Sequence, residues 1–551
     1  MALPSSPPTD APSTGAAARE RRSRIAAALL LGLLAIVMMA TVRDYGMTGD
    51  EGVQHRYARR VLRWYATLGA DRSAAAEEDI SMYGGLFEAL AEGAASRSPL
   101  DPYETRHVVN VVFALAAFAA VLRMGWHLAG PLGGVCSLLM LVLTPPFYGH
   151  AFNNPKDIPF AGAFAVAVCA ILLVADRSPR LRGRDIVTAG LAIGATAGVR
   201  VAGIALFGFA LLLWAAVALV RAREETPVTG RRDVWRLAAS WGAVVLLGWA
   251  IMVAAWPWAQ VAPIRNPLRA LGAFSRFWET MIVFYDGEYA ANGTVSRWYL
   301  PTWFALTLPE TYLIAAVLGL LRLRSLLRTR PLTPAMRVQL VQAGWLALVA
   351  VLPVAWAVAR HTPLYDGMRH FLFVVPIAAV LGGVSVASFL RARGLRWDGR
   401  VAAAAVATMA AVTLADMIAL HPYQALYFNR LVAGGLRGAA SRYETDYWCL
   451  SYKEGAEWLV ARYPAGRCAE KVRVAGHSIL LQTSYYLKKD AEVGRLFTPV
   501  SADDDPHFVL ATTRFGDHLR TPGRIVHTVD RQGATLLYVF EVKPPACVPG
   551  D

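Results

Sequence analysis

Apolar runs on the scale of a bilayer crossing, about 20 residues, alternate along this chain with short polar stretches. They fall near residues 25–42, 107–123, 131–148, 158–175, 186–199, 201–220, 237–256, 303–321, 338–358, 370–390 and 401–420. The pattern predicts a polytopic α-helical membrane protein with about eleven transmembrane helices. Between the first two runs, Val53, Tyr57, Val61, Trp64 and Leu68 recur every three to four residues beside Arg56, Arg59, Arg60 and Arg63. That spacing predicts an amphipathic helix lying along the bilayer surface, and Tyr83 to Ala95 predicts a second. Past residue 420 the long runs stop. An amphipathic helix over 451–463 is followed by strand-like stretches at 472–475, 507–512, 524–529 and 535–542, with Arg531-Gln532-Gly533 placed for a hairpin turn. The expected organisation is a disordered tail and cytoplasmic N-terminus over 1–24, a transmembrane catalytic domain over 25–420, and a small α/β domain over 421–551.

Composition agrees with the pattern. Of 551 residues, 56% are hydrophobic and only 17% charged, with mean hydropathy +0.38, which excludes an ordinary soluble enzyme. The formal net charge of +15 sits in short loops between apolar runs, where arginine sets orientation, and does not point to nucleic acid. Arg19, Arg21, Arg22 and Arg24 precede the first run and no small-residue cleavage site follows, so that helix reads as retained, with a cytoplasmic start. Counting from there, the arginine-bearing loops beginning at Asp176, Arg221, Arg322 and Arg391 all fall on the cytoplasmic side. The count requires a turn at Gly198-Val199-Arg200 with almost no loop. Residues 43–106, 149–157, 257–302, 359–369 and everything after about 421 then share the outer side.

Those outer segments also hold the unusual polar residues. Asp50 and Glu51, in Thr48-Gly49-Asp50-Glu51-Gly52, are adjacent carboxylates just past the first membrane exit. The second outer loop runs His150-Ala151-Phe152-Asn153-Asn154-Pro155-Lys156-Asp157, with Asp157 near the start of a helix whose dipole favours a carboxylate. The loop from Arg360 to His370 crowds Arg360, His361, Tyr365, Asp366, Arg369 and His370 between two spans. Arg200 stands at the loopless turn. The aromatics of Trp256-Pro257-Trp258 and Trp298-Tyr299 read first as a membrane-boundary belt. Cys136 and Cys169 lie in spans, while Cys449, Cys468 and Cys547 lie outside, where one disulfide is permitted and one thiol is left over. No Walker A loop and no G-x-G-x-x-G between strand and helix is present.

The retained first helix, the acidic pair, the surface helices and the short second loop ending in Asp157 resemble a GT-C glycosyltransferase of the protein O-mannosyltransferase and lipid A aminoarabinose transferase type. The stretches His150 to Phe160, Tyr365 to Pro376 and His421 to Trp448 further resemble a bacterial branch of that superfamily. The resemblance implies a membrane glycosyltransferase in a bacterial inner membrane, with its N-terminus cytoplasmic and its last domain extracytoplasmic. It implies transfer of a sugar, with inversion, from a polyprenyl-phosphate donor to a hydroxyl on a lipid, polysaccharide or protein acceptor. Asp50 is then the expected base with Glu51 as its neighbour, and Asp157 a second acid that orients the acceptor or holds a divalent cation (Mg, Mn or Zn). His150, Asn153, Asn154, Lys156, Arg200, Tyr365, Arg369 and His370 are the expected substrate-binding residues, with Lys156, Arg200, Arg360 and Arg369 as candidates for phosphate. Asp50, Asp157 and at least one of those cations should then meet at one place. Two other classes fit a polytopic chain: a lipid or sugar transporter, which calls for ionisable residues deep within spans, and a non-catalytic scaffold, which leaves the polar loops without purpose.

Overall fold

The computed structural model describes residues 14–76, 78–223, 230–274, 280–328, 331–394, 396–463, 468, 470–477, 480–489 and 493–547. Among them, eight helices are long and apolar enough to cross a membrane, or nine if the pair Tyr299–Thr307 and Glu310–Arg328, bent by 100°, is one span. The chain is a multi-pass membrane protein. With the bent pair counted as one span, the expected count of eleven differs at two further places. Pro102–Val142 is one helix by assignment, yet Ala129 and Gly130 leave helical geometry, Gly130 at φ 57, a value glycine takes without steric penalty. The chain reverses there: a Cβ on Gly125 would meet Ser137, and one on Gly134 would meet the Leu122 carbonyl, so the two halves lie side by side. Gly183–Val199, with 17 residues, is shorter than a full crossing.

The loopless turn is present. Gly183–Val199 ends, Arg200 is extended, and a short 3-10 turn, Val201–Ile204, leads into Ala205–Ala222. Gly203 sits so close over Ala197 that a Cβ would stand 2.6 Å from its nitrogen, which is how the chain doubles back without a connector. Of the expected disordered N-terminus over 1–24, residues 1–13 lie outside the described residues, and 14–24 already belong to the helix Thr14–Thr41.

Asp157–Ala175 is the axis of the bundle, with 83% of its crossing window buried, against 11% for the first helix. The arginine-bearing loops meet at one end. Arg180 pairs with Asp233 at 3.3 Å, Gln342 donates to Asp176 at 2.9 Å, Arg221 donates to the Ser178 carbonyl at 3.3 Å, and His127 lies 3.3 Å from Gln342. Residues 43–50 and 149–157 meet at the other end.

Two expectations for the outer segments change. The helix Glu51–Ala66 forms, but Tyr57, Val61 and Trp64 in the middle of its apolar face are buried against Ala74 and Ile80 of the same loop, so protein covers that part, while Val53 and Leu68 at the two ends of the face are exposed. Trp256 and Trp258 are likewise buried, Trp256 donating to the Ser81 carbonyl at 2.8 Å, and Tyr299 is buried too. They are packing residues; Trp298 is the exposed member of that group.

A hairpin of β1 (Ile282–Tyr285) and β2 (Glu288–Ala291) precedes the later spans. After residue 420 the helix Tyr452–Arg462 packs on a five-stranded mixed sheet in the order β4-β3-β5-β7-β6, built from β3 (Val472–Gly476), β4 (Phe497–Val500), β5 (Phe508–Ala511), β6 (Arg524–Arg531) and β7 (Ala534–Glu541). The β6–β7 turn is Gln532-Gly533, both at positive φ, as a two-residue hairpin turn requires. The strand β4 carries Pro499 and threonine at a sheet edge and was not expected from periodicity. Cys468 and Cys547 form a disulfide, leaving Cys449, of the three cysteines past residue 420, as a free and buried thiol.

Candidate functional site: an ion-paired centre at the loop end of the bundle

The turn before Glu51–Ala66 decides which carboxylate faces the centre. Glu51 Oε2 accepts from the Thr48 backbone N–H at 2.7 Å, and its Oε1 lies 2.8 Å from His107 Nε2. With 1% exposure, Glu51 is spent on holding the turn. Its neighbour Asp50 therefore projects the other way.

Asn153 and Asn154 stitch the second loop to the first and hold the start of the axial helix. Asn153 donates to the Gly46 carbonyl at 2.7 Å, and its own carbonyl accepts from the Thr48 hydroxyl at 3.1 Å. Asn154 Oδ1 accepts from the Asp157 N–H at 2.8 Å while its Nδ2 donates to Asp157 Oδ2 at 3.0 Å. Asn154 thus holds Asp157 by both its backbone and its side chain at the start of the axial helix.

Arg369 joins the carboxylates. One of its nitrogens stands 3.3 Å from Asp157 and 3.7 Å from Asp50, so the two aspartates are no farther apart than those distances laid end to end. Arg200 reaches Asp157 at 2.8 Å and Lys156 reaches Asp50 at 3.4 Å. Asp50, Asp157, Lys156, Arg200 and Arg369 thus form one network. Arg369 is also clamped by Asp366 at 2.8 Å, and its guanidinium lies over Trp448 and Tyr365, 4.8 and 5.3 Å from the ring centroids. Asp366 and Gly367 are both at positive φ, a tight turn that aims Asp366 inward. Arg514, just after β5, holds the other Asp366 oxygen at 2.8 Å and also donates to the Tyr447 carbonyl.

Exposure sorts the members by task. Side chains of Asp157 and Arg369 are 1% and 4% exposed, while Asp50 is 26% exposed and Lys156 and Arg200 are each 15%. The first two are sealed in ion pairs; the last three can meet a ligand. Burial alone would push the Asp50 carboxyl up, but Lys156 and then Arg369 outweigh it and hold the group below the ordinary carboxylate range. Lys156 is raised by Asp50 against its own burial. The centre therefore presents a charged carboxylate beside accessible cations.

The remaining expected residues line the surroundings. His150 is buried, lies 3.0 Å from the Tyr447 hydroxyl and edge-on to Trp448, and burial lowers it to about 4, so it is a neutral packing partner at pH 7. His370 packs edge to face on Tyr365. Arg360 is exposed at the end of Pro334–Arg360. Sequence reading missed Tyr83, whose ring lies 5.1 Å from the Lys156 ammonium and 5.8 Å from the Arg200 guanidinium, and it missed Arg514; Glu444 belongs to a stretch that by sequence could reach the site but read first as a structural junction. Burial pushes Glu444 up to about 8, with Arg514 opposing and Asp366 adding to the rise. Nothing in local sequence separates Arg514 from other surface arginines; the adjacency of Glu444 to Asp446 and two aromatics in Tyr443-Glu444-Thr445-Asp446-Tyr447-Trp448 was the available signal.

A divalent cation does not fit these residues. Asp157 already accepts from Asn154 and pairs with Arg200 and Arg369, and Asp50 is flanked by Lys156 and Arg369. Among the described residues no three His, Cys, Asp or Glu side chains gather as a metal site. The arrangement suits an anion better.

The chain matches no family model and no curated protein. Among solved structures it is similar to ArnT from Cupriavidus metallidurans bound to undecaprenyl phosphate, with TM-score 0.48 and 15% identity over 93% of this chain and 97% of that one. It is also similar to the oligosaccharyltransferase of Archaeoglobus fulgidus in the apo form, with TM-score 0.45 and 12% identity over 88% of this chain and 69% of that one. A third is AglB of the same organism in complex with an inhibitory peptide and a dolichol-phosphate, with TM-score 0.45 and 13% identity over 85% and 64%.

Proposed function

We propose that this chain is a membrane glycosyltransferase that moves a sugar from a polyprenyl-phosphate donor to an acceptor hydroxyl, inverting the sugar carbon, on the extracytoplasmic side of a bacterial inner membrane. The observation that carries the reading is one accessible, ionised carboxylate, Asp50, set between Lys156 and Arg369 at the loop end of a bundle of membrane-crossing helices.

An inverting transfer asks for a base on the acceptor and positive charge on the leaving group. The acceptor O–H gives its proton to Asp50 as its oxygen bonds to the sugar carbon. The bond from that carbon to the phosphate oxygen breaks, and its electron pair leaves with the lipid phosphate. Lys156 and Arg200 are the accessible cations that would meet the charge gathering there. Arg369, sealed between three carboxylates and two rings, is a positioning residue, and Asp157 anchors Arg200 and Arg369. With Glu444 protonated at pH 7, the centre holds Lys156, Arg200, Arg369 and Arg514 against Asp50, Asp157 and Asp366, an excess of positive charge that a phosphate would neutralise. In this reading residues 1–24, 25–420 and 421–551 are the cytoplasmic tail, the transmembrane catalytic domain and an exported domain, and the arginine-bearing end faces the cytoplasm.

The test is transfer by purified protein from a panel of polyprenyl-phosphate sugars. Asp50→Asn is expected to lose roughly 10²- to 10⁴-fold in kcat, the range for a positioned base, and Asp157→Asn to lose activity with a raised donor KM. Transfer undiminished in both variants overturns the assignment.

A further inference from the structure

At the opposite, arginine-bearing end, the first helix stands off from the bundle. Only 11% of its crossing window is buried, and between it and the 102–128 half of the next helix runs an open groove of about 540 Å³. Its floor is small and apolar, with Ala28 and Leu31 facing Ala119, and each wall carries one cation, Arg24 from the first helix and Arg123 from the second, with Trp126 beside Arg123. None of the described residues lining the groove is acidic. Glu20, one turn back, lies 3.1 Å from Arg24, but this pair is exposed, at 39% and 72%, and an exposed pair of that kind contributes little and exchanges readily.

We infer that this groove is a binding site for a glycerophospholipid with an anionic headgroup, the phosphate held between Arg24 and Arg123 and one acyl chain laid along the alanine floor. Two guanidiniums on opposite walls suit a phosphodiester. An indole at the same level is the usual marker of the headgroup region, and basic pockets between membrane helices at the cationic side are where anionic lipids bind. The dimensions disfavour the other occupant a membrane groove could take: a helix about 10 Å across with 5.4 Å pitch would fill the volume in about one turn, whereas a single acyl chain extends along it. The lipid would act as a wedge that ties a poorly buried helix to the bundle. Nothing in this depends on the glycosyltransferase reading.

The experiment is native mass spectrometry of the full chain, delipidated in mild detergent and offered equal amounts of phosphatidylglycerol and phosphatidylethanolamine. Wild type is expected to retain phosphatidylglycerol selectively, and the double variant Arg24→Ala/Arg123→Ala to lose about thirtyfold in affinity for it, from the usual contribution of each cation near an anionic lipid. Ala119→Trp, which fills the floor and leaves both cations in place, is expected to lose the lipid as well, and Arg24→Lys/Arg123→Lys to keep it. Selectivity unchanged in the alanine and tryptophan variants overturns the proposal. So does equal retention of both lipids, or a bound membrane segment of another protein in place of phospholipid.

Discussion

Asp50 and Glu51 are chemically near-identical neighbours with opposite fates, and a single turn separates them. Glu51 is consumed by Thr48 and His107 while Asp50 stays accessible between two cations. Because those cations hold Asp50 below the ordinary carboxylate range, transfer should lose its base only at pH values below that range. Lys156→Gln removes the cation that depresses it most, so the acid limb of the kcat profile is expected to move to higher pH; a limb that stays put argues that Asp50 is not the base. A second residue-scale prediction concerns Asp366, which Arg369 and Arg514 share. In Arg514→Gln, Asp366 has only Arg369 left and draws it from Asp50 and Asp157. Donor KM should rise by roughly several-fold to tenfold, the order of about 0.5–1.5 kcal/mol for a typical hydrogen bond, because the loss acts on the donor only through Arg369; Arg514→Lys should recover part of it, and acceptor KM should not change. The pair at Asp50, the second loop and the Arg369 loop were legible as polar residues at membrane exits. The division of labour among them was not, because it depends on which side chains are sealed and which meet solvent.

At the scale of elements, the helix Pro145–Asn153 is held by close backbone approach. A Cβ on Gly149 would stand 2.2 Å from the Ala425 nitrogen, and backbone cannot step aside as a flexible side chain can. Gly149→Ala is therefore expected to cost about 1–3 kcal/mol of stability and to lower transfer by displacing Asn154 and Asp157; an unfolding midpoint equal to wild type would contradict this. The periodicity over 51–68 correctly announced a helix but not what covers it. An apolar stripe beside arginines is the same signal whether lipid or the chain's own 73–81 segment packs against Tyr57, Val61 and Trp64. The same holds for Trp256 and Trp258, which are aromatic at a helix end in either case. The strand β4 escaped notice because a short run with a proline lacks clear alternation.

Across the whole molecule, the region after residue 420 is not merely a cover, since Arg514 enters the centre beside Asp366 and Tyr447. Glu444 lies at the same junction and is pushed up to about 8 from an ordinary 4.5. The folded state therefore binds a proton that the unfolded state releases between about pH 4.5 and 8, and stability falls across that window as pH rises. Glu444→Gln cannot ionise, so its melting temperature relative to wild type should be higher at pH 9 than at pH 5. An equal difference at both pH values counts against a buried neutral Glu444.

Taken alone, the order of apolar runs and arginine loops determined the class of molecule, the loopless turn at Arg200, and the pairing of the segments after the first run and after the third at one end of the bundle. These follow from the cost of leaving polar groups in hydrocarbon, which acts on each segment separately and so is written in each segment. Only the tertiary structure decided that Glu51 faces away, that Asp157 is locked, that Tyr83 floors the cations, and that Arg514 arrives from beyond residue 500. Those outcomes rest on contacts between residues tens to hundreds of positions apart, where charge and burial are set by neighbours that no local pattern names.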